Sequence, residues 1–128
     1  MSTAVAQDFC KEILALDRGI RFAGIADMMA EVVYSKYRSG IIPLLGEKEV
    51  KIAILQSAIR VGTRGNHEPK LGETVYSFTL YRKVKRATIP IRKGDRITHM
   101  LMVSFDVEVD HEPLIVKKII PLMERLVL

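Results

Sequence analysis

The sequence predicts an α+β fold, a five-stranded antiparallel sheet with elements in the order α-β-β-α-β-β-β-α. Three observations carry that expectation. Apolar and polar residues alternate through Glu73–Tyr81, again through Ala87–Ile91, and most regularly at Leu101, Val103, Phe105, Val107 and Val109. This period of two is the pattern of an antiparallel meander with one face buried. Two shorter β-rich segments, 20–29 and 31–38, precede the meander. Segments with apolar residues three and four apart bracket and interrupt the strands, and that spacing places them on one face of a helix.

In chain order, Val5, Phe9, Ile13 and Leu16 share one face of a helix over residues 3–16, with Gly19 as a stop just beyond it. Phe22, Ala26 and Met28 line one face of the first strand, and Val32, Val33, Tyr34 and Tyr37 raise the β propensity of the second. The turn between them falls near Met29-Ala30 and lacks the Asn-Gly or Asp-Gly pair of a two-residue hairpin. Ser39-Gly40 ends the pair, and Pro43 argues against a continuous helix before Gly46. From Glu47, residues Val50, Ala53, Ile54, Ser57, Ala58 and Val61 follow the helical period. Glu47 and Glu49 put negative charge in the first turn, where the helix dipole favours it. Ile52, Leu55 and Ile59 widen the apolar stripe beyond one face. Such a helix is expected to be covered on two sides, by its own sheet and by another helix or a partner subunit.

Residues 62–72 hold three glycines and a proline and predict an exposed loop. Tight turns are expected at Lys83-Val84-Lys85 and at Arg92-Lys93-Gly94-Asp95. His111-Glu112-Pro113 has the form of a helix start, and Ile115, Ile119, Leu122, Met123 and Leu126 supply the apolar stripe that follows. Pro121 should kink or shorten this helix, because it lacks a backbone donor and clashes one turn back.

A chain of 128 residues that is 48% hydrophobic fits one domain, 1–128, with a core that needs neither disulfide nor metal. Cys10 is the only cysteine, which suits a reducing, cytoplasmic setting. The N-terminus has no basic segment leading into an apolar run, and no long uncharged apolar stretch occurs, so no membrane role is expected. The formal charge of +5 permits binding to a polyanion without requiring it.

The sharpest site signal is a run of cations, Arg82, Lys83, Lys85, Arg86, Arg92, Lys93 and Arg96, relieved only by Asp95. It offers contacts to nucleic-acid phosphates or to an acidic protein, with Tyr76 and Tyr81 nearby as stacking groups. A solvated hairpin whose charges prevent edge-to-edge aggregation is the plainer alternative. Gly62-Thr63-Arg64-Gly65 has the spacing of a KH clamp loop but leads toward a strand, and it lacks the Lys-Ser/Thr pair of a P-loop. Arg64 and Lys70 are its contact candidates.

His67, His99 and His111 do not fall at metal-ligand spacings. Cys10 sits on the apolar side of the first helix, as an inert buried thiol would. Ser104 and Asp106 share a strand face, while Asp27 stands alone as an acid, so no catalytic set assembles. Met100 and Met102 either fill the core or, facing outward with Ser104, make an apolar patch for a subunit interface.

The element order resembles the roadblock/LC7 branch of the profilin-like fold over nearly the whole chain. The resemblance is carried by Arg86-Ala87-Thr88-Ile89-Pro90-Ile91, then Met100-Leu101-Met102-Val103-Ser104-Phe105-Asp106 and a closing helix. It implies a domain that dimerises and serves as a scaffold or regulator for small GTPases and motor complexes, with an archaeal protein of this fold as the nearest description. The absence of glycine around Met28-Met29-Ala30 and the high charge of the 82–96 hairpin depart from the family pattern.

The expectation is therefore a non-enzymatic homodimeric interaction or regulatory module without cofactor. It would present a rigid two-fold surface to an acidic protein or small GTPase, steered by the basic hairpin. PAS-like and GAF-like sensors share a related sheet, so a small-molecule sensor stays beside this reading and predicts an enclosed pocket between sheet and helices. A nucleic-acid binder is the other alternative. It predicts a continuous basic face uniting residues 82–96 with Arg64 and Lys70.

Overall fold

A computed structural model describes residues 1–126. Its elements are α1 (Thr3–Ala15), β1 (Ile20–Asp27), β2 (Val32–Tyr37), α2 (Glu47–Gly65), α3 (Glu68–Leu71), β3 (Ser77–Leu80), β4 (Val84–Lys93) and β5 (Arg96–Asp106). A C-terminal helix follows as α4 (His111–Leu114), a π-helical turn (Ile115–Ile119) and α5 (Ile120–Met123). The five strands form one antiparallel sheet in the order β2-β1-β5-β4-β3. The predicted α+β class and strand count are found, with α3 as an addition.

Central strand β5 divides the core, because successive side chains point to opposite faces. Leu101, Val103 and Phe105 join Ile25, Ile89 and Ile91 under α1 and the C-terminal helix. On the other face Met100 and Met102 pack with Ala26 beneath Ile54, Ala58 and Val61 of α2. The two methionines are 0% and 6% exposed, so they fill the core and make no surface patch.

Helix α1 begins at Ser2, whose side-chain oxygen accepts a hydrogen bond from the Val5 N–H at 3.1 Å. The buried face is Ala6, Phe9, Cys10, Ile13 and Leu14, rotated from the predicted stripe so that Val5 lies at the rim. Burial pushes the Cys10 thiol up to about 12, which keeps it protonated and inert.

The other end of α1 is held by a residue from β2's side of the sheet. The Arg38 guanidinium donates to the carbonyls of Leu14, Asp17 and Ile20. A cation there satisfies carbonyls that the ending helix leaves open and meets the negative end of its dipole.

The β1–β2 turn works without glycine. Asp27 Oδ1 accepts from the backbone N–H of Met29 at 2.8 Å and of Glu31 at 3.0 Å, and Ala30 adopts φ 66°. Asparagine-like bonding by the aspartate replaces the missing turn pair. Asp27→Ala should lower stability by about 1 kcal/mol, measured by urea denaturation.

Several boundaries shift. Helix α2 runs to Gly65, and α3 occupies part of the expected 62–72 loop. The Thr63 hydroxyl bonds back to the Ile59 carbonyl, and a Cβ at Gly62 or Gly65 would meet open space, so nothing in the packing stops the helix earlier. Strand β3 is only Ser77–Leu80, whereas β4 and β5 are longer at their hairpin ends than the alternation suggests. The β3–β4 turn is centred on Arg82-Lys83, and Gly94-Asp95 forms the next one with Gly94 at φ 65°. Strand β5 ends at Asp106, leaving Val107 and Val109 outside it.

Pro121 does not end the last helix, which passes through it to Met123, short of the expected stripe at Leu126. The turn before it widens, the Ile120 N–H bonding to the Ile115 carbonyl. This π register absorbs the donor that proline lacks. Ile115, Ile119 and Leu122 remain buried.

Candidate functional site

Helix α2 covers only part of its sheet face and is itself covered on one side. Ile54, Ser57, Ala58 and Val61 face the sheet, while Ile52, Leu55 and Ile59 stand 56%, 51% and 58% exposed. These three sit at i, i+3 and i+7, a stripe too wide for the single layer beneath the helix. Strand β3 is paired with β4 alone among the described residues, so its outer edge offers free backbone donors and acceptors. Arg64 donates to the Ser77 hydroxyl at 3.0 Å, tying the end of α2 to that edge.

Between α2 and the uncovered strands runs a half-open groove of about 880 Å³. Phe22, Tyr37 and Met102 give it apolar walls, and Arg21, Arg60, Arg64, Arg82, Lys83 and Arg86 give it charge. Arg21 reaches this face through an irregularity in the β1–β5 register and pairs with Asp106 at 3.1 Å.

The expected seven-cation cluster does not exist as one surface. Arg82 and Lys83 sit at one end of β4, and Lys93 and Arg96 at the other, about 30 Å apart at 3.4 Å per residue. Alternation then splits the near group. Arg86 faces the groove, whereas Lys85 Nζ donates to the Val109 carbonyl at 2.5 Å.

Arg92 is committed elsewhere. Its Nη2 lies 2.8 Å from Glu68 Oε2, and its Nε lies 2.9 Å from Glu73 Oε2. It thereby clips α3 and the segment before β3 onto the sheet. The continuous basic face that would unite residues 82–96 with Arg64 and Lys70 is absent. Lys70 sits on exposed α3, and Arg64 belongs to the groove.

The Arg92 clip has a titration signature. Hydrogen bonds from Arg92 and then from the Thr74 N–H hold the Glu68 carboxyl down at about 2. A depressed carboxylate contributes stability above its unfolded value, and that contribution is lost as pH falls through the folded one. Stability should therefore decline progressively between roughly pH 5 and pH 2. In Arg92→Gln the Glu68 resonance followed by NMR should titrate at higher pH, toward the ordinary glutamate value of about 4.3 but still below it, because the Thr74 N–H bond remains.

Ser104 lines the groove, and Asp27 is spent on its turn. His111 stacks on Phe78 of β3 at 3.8 Å and 8°. Among the described residues no three His, Cys, Asp or Glu gather as a metal-holding group, and no helix is long and apolar enough to cross a membrane. The sensor reading predicts an enclosed pocket, and the groove is half open.

Sequence reasoning singled out the α2 stripe but missed Arg60 and Arg21 as groove residues. The spacing of Arg60 and Arg64, four apart on the helix, signalled a shared charged face. Nothing local marks Arg21, whose direction depends on the register irregularity.

No protein-family model and no curated protein matches the chain. Solved structures do. An MglB with a tetrameric arrangement is 15% identical, with a TM-score of 0.74 over 94% of this chain and 84% of that one. Myxococcus xanthus MglB is 14% identical, with a TM-score of 0.71 over 95% and 84%. A roadblock/LC7 domain from Streptomyces avermitilis is 9% identical, with a TM-score of 0.68 over 91% and 89%. The chain has a roadblock/LC7-like fold. In this roadblock/LC7-like chain the groove runs between α2 and strands that include β3, and the exposed α2 stripe reaches it at Ile52.

Proposed function

We propose that this roadblock/LC7-like chain is a non-enzymatic regulatory module that works as a homodimer in the cytoplasm and presents the α2 side to a protein partner. The supporting observation is that the molecule leaves two surfaces uncovered, the Ile52, Leu55 and Ile59 stripe of α2 and the open edge of β3. Pairing two β3 edges antiparallel about a two-fold axis would continue the sheet from one copy to the next. It would also bring the two α2 stripes toward each other, an isologous contact in which each copy covers the other's apolar surface. Both liabilities, a bare edge and an uncovered stripe, would be removed by one operation.

The similarity to an MglB in a tetrameric arrangement and to a gliding protein MglB from Thermus thermophilus supports an assembly role. Resemblance to the roadblock/LC7 group makes a small GTPase the partner class we favour. Catalysis has no support in the arrangement of side chains.

Size-exclusion chromatography with light scattering, on nuclease-treated protein at low and high salt, tests the reading. A mass twice the chain's 14.5 kDa that is insensitive to salt is the expected result. A monomer, or a species that carries absorbance at 260 nm and sheds it in salt, would overturn it.

A further inference from the structure

We propose that the groove between α2 and the sheet binds an acidic, extended segment of a partner protein. This rests on the protein-interaction reading above and names the chemistry that its surface selects.

The charge balance carries the argument. The chain holds twenty Lys and Arg against fifteen Asp and Glu. Six of those cations, Arg21, Arg60, Arg64, Arg82, Lys83 and Arg86, line the groove, with Glu49 as the acid among the lining residues. Outside it fourteen cations and fourteen acids remain, and since one of those acids, Asp106, pairs with the groove's Arg21, about +4 of the formal excess of +5 gathers at the groove.

Little of that charge is neutralised internally. Glu49 Oε1 accepts from the Gly46 N–H at 3.0 Å at the start of α2, and Asp106 meets Arg21 alone. Among the described residues no carboxylate lies within ion-pair distance of the other five cations. Arg60 and Arg64 bond only to hydroxyls, those of Ser57 and Ser77. Like charges drawn together without counter-charge leave a potential that an anionic partner relieves.

Shape and lining select the kind of anion. From Glu49 to Arg64 the groove follows α2 for about 22 Å at 1.5 Å per residue, the span of roughly six or seven extended residues. Cations spread along such a length suit several spaced carboxylates better than one phosphate. The apolar surfaces of Phe22, Tyr37 and Met102 between them suit aliphatic side chains.

Single-stranded nucleic acid needs free aromatic faces on which bases stack. Here Phe22 and Tyr37 pack on each other, centroids 4.8 Å apart, and Phe78 is stacked on His111. Tyr81 is the one lining aromatic left half exposed, a single face where stacking successive bases needs several.

Fluorescence anisotropy with a labelled short peptide of alternating glutamate and leucine tests the proposal on the full chain. The peptide should bind saturably and weaken with added salt, while a glutamine–leucine peptide should not bind. Arg60→Gln with Arg64→Gln removes two groove charges from exposed positions with little change in helix propensity. It should weaken binding about tenfold or more. Lys117→Gln with Lys118→Gln removes equal charge from the exposed side of the C-terminal helix and should leave binding unchanged.

Equal binding of the neutral peptide, equal loss in both variants, or displacement by oligothymidylate more readily than by unlabelled acidic peptide would overturn the proposal. Light scattering on the same samples separates the two claims. A dimer that ignores the peptide refutes the groove assignment and leaves the module standing, whereas a monomer refutes the module.

Discussion

Leu55→Glu combined with Ile59→Glu should convert the dimer to a folded monomer. Both side chains are more than half exposed in the isolated chain, so the fold has little to lose from them, and glutamate is at least as good a helix former as either. In the proposed dimer they would meet their symmetry mates, and two substitutions per copy would place four carboxylates at one apolar contact. Burying unpaired charge there costs several kcal/mol, and like-charge repulsion adds to it. We expect the dimer dissociation constant to rise by roughly a thousandfold or more, about 4 kcal/mol. Sedimentation velocity should show the mass fall by half, with the far-UV circular dichroism spectrum unchanged. A variant that remains dimeric would remove α2 from the interface and leave the β3 edge as the candidate.

Arg38→Met should be the most destabilising surface substitution in the chain, at about 2–3 kcal/mol. Methionine keeps much of the aliphatic stem and removes the charge and the donors. Three carbonyls, of Leu14, Asp17 and Ile20, lose their shared partner. Bonds to a charged donor contribute about 1.5–3 kcal/mol each where they are sheltered, but water reaches part of this cluster and offsets much of the sum. The effect is also topological. Arg38 follows β2, an edge strand, and its bonds fasten the end of α1 to the chain entering β1, so hydrogen exchange in α1's last turn should accelerate along with the drop in urea midpoint. An unchanged midpoint would mean that solvent replaces the guanidinium fully.

Much of the architecture was legible because hydrophobic period is a local property. Leu101, Val103 and Phe105 announce a strand with one face in the core, and Val50, Ile54, Ala58 and Val61 announce a helix on a sheet, whatever lies around them. Boundaries were less legible where a partner decides them. Residues 73–76 have strand character, yet β4 pairs only from Ser77 onward, and the segment is held instead by Glu73, which shares Arg92 with Glu68. Pro121 reads as a breaker in isolation, but the buried Ile115, Ile119 and Leu122 keep the helix in place and the π turn takes up the defect.

The site shows the same division. Ile52, Leu55 and Ile59 could be read as surplus apolar surface from α2's own sequence, because the helical period alone says the stripe is wider than one layer can cover. The basic run at 82–96 was visible too, but its meaning changed in three dimensions. A strand of ten residues separates its two ends by its own length, alternation sends Lys85 and Arg86 to opposite faces, and Arg92 is consumed by acids distant in sequence.

By itself, then, the sequence determined the α+β class, the strand and helix periodicities, the apolar excess on α2 and the sign of the net charge, all set by neighbours within a few residues. Only the tertiary structure decided where that charge gathers. Arg21, Arg60, Arg64, Arg82, Lys83 and Arg86 come from β1, α2, β4 and the β3–β4 turn, and side chains so far apart in the chain share a surface only once the strands are registered and α2 is laid across them.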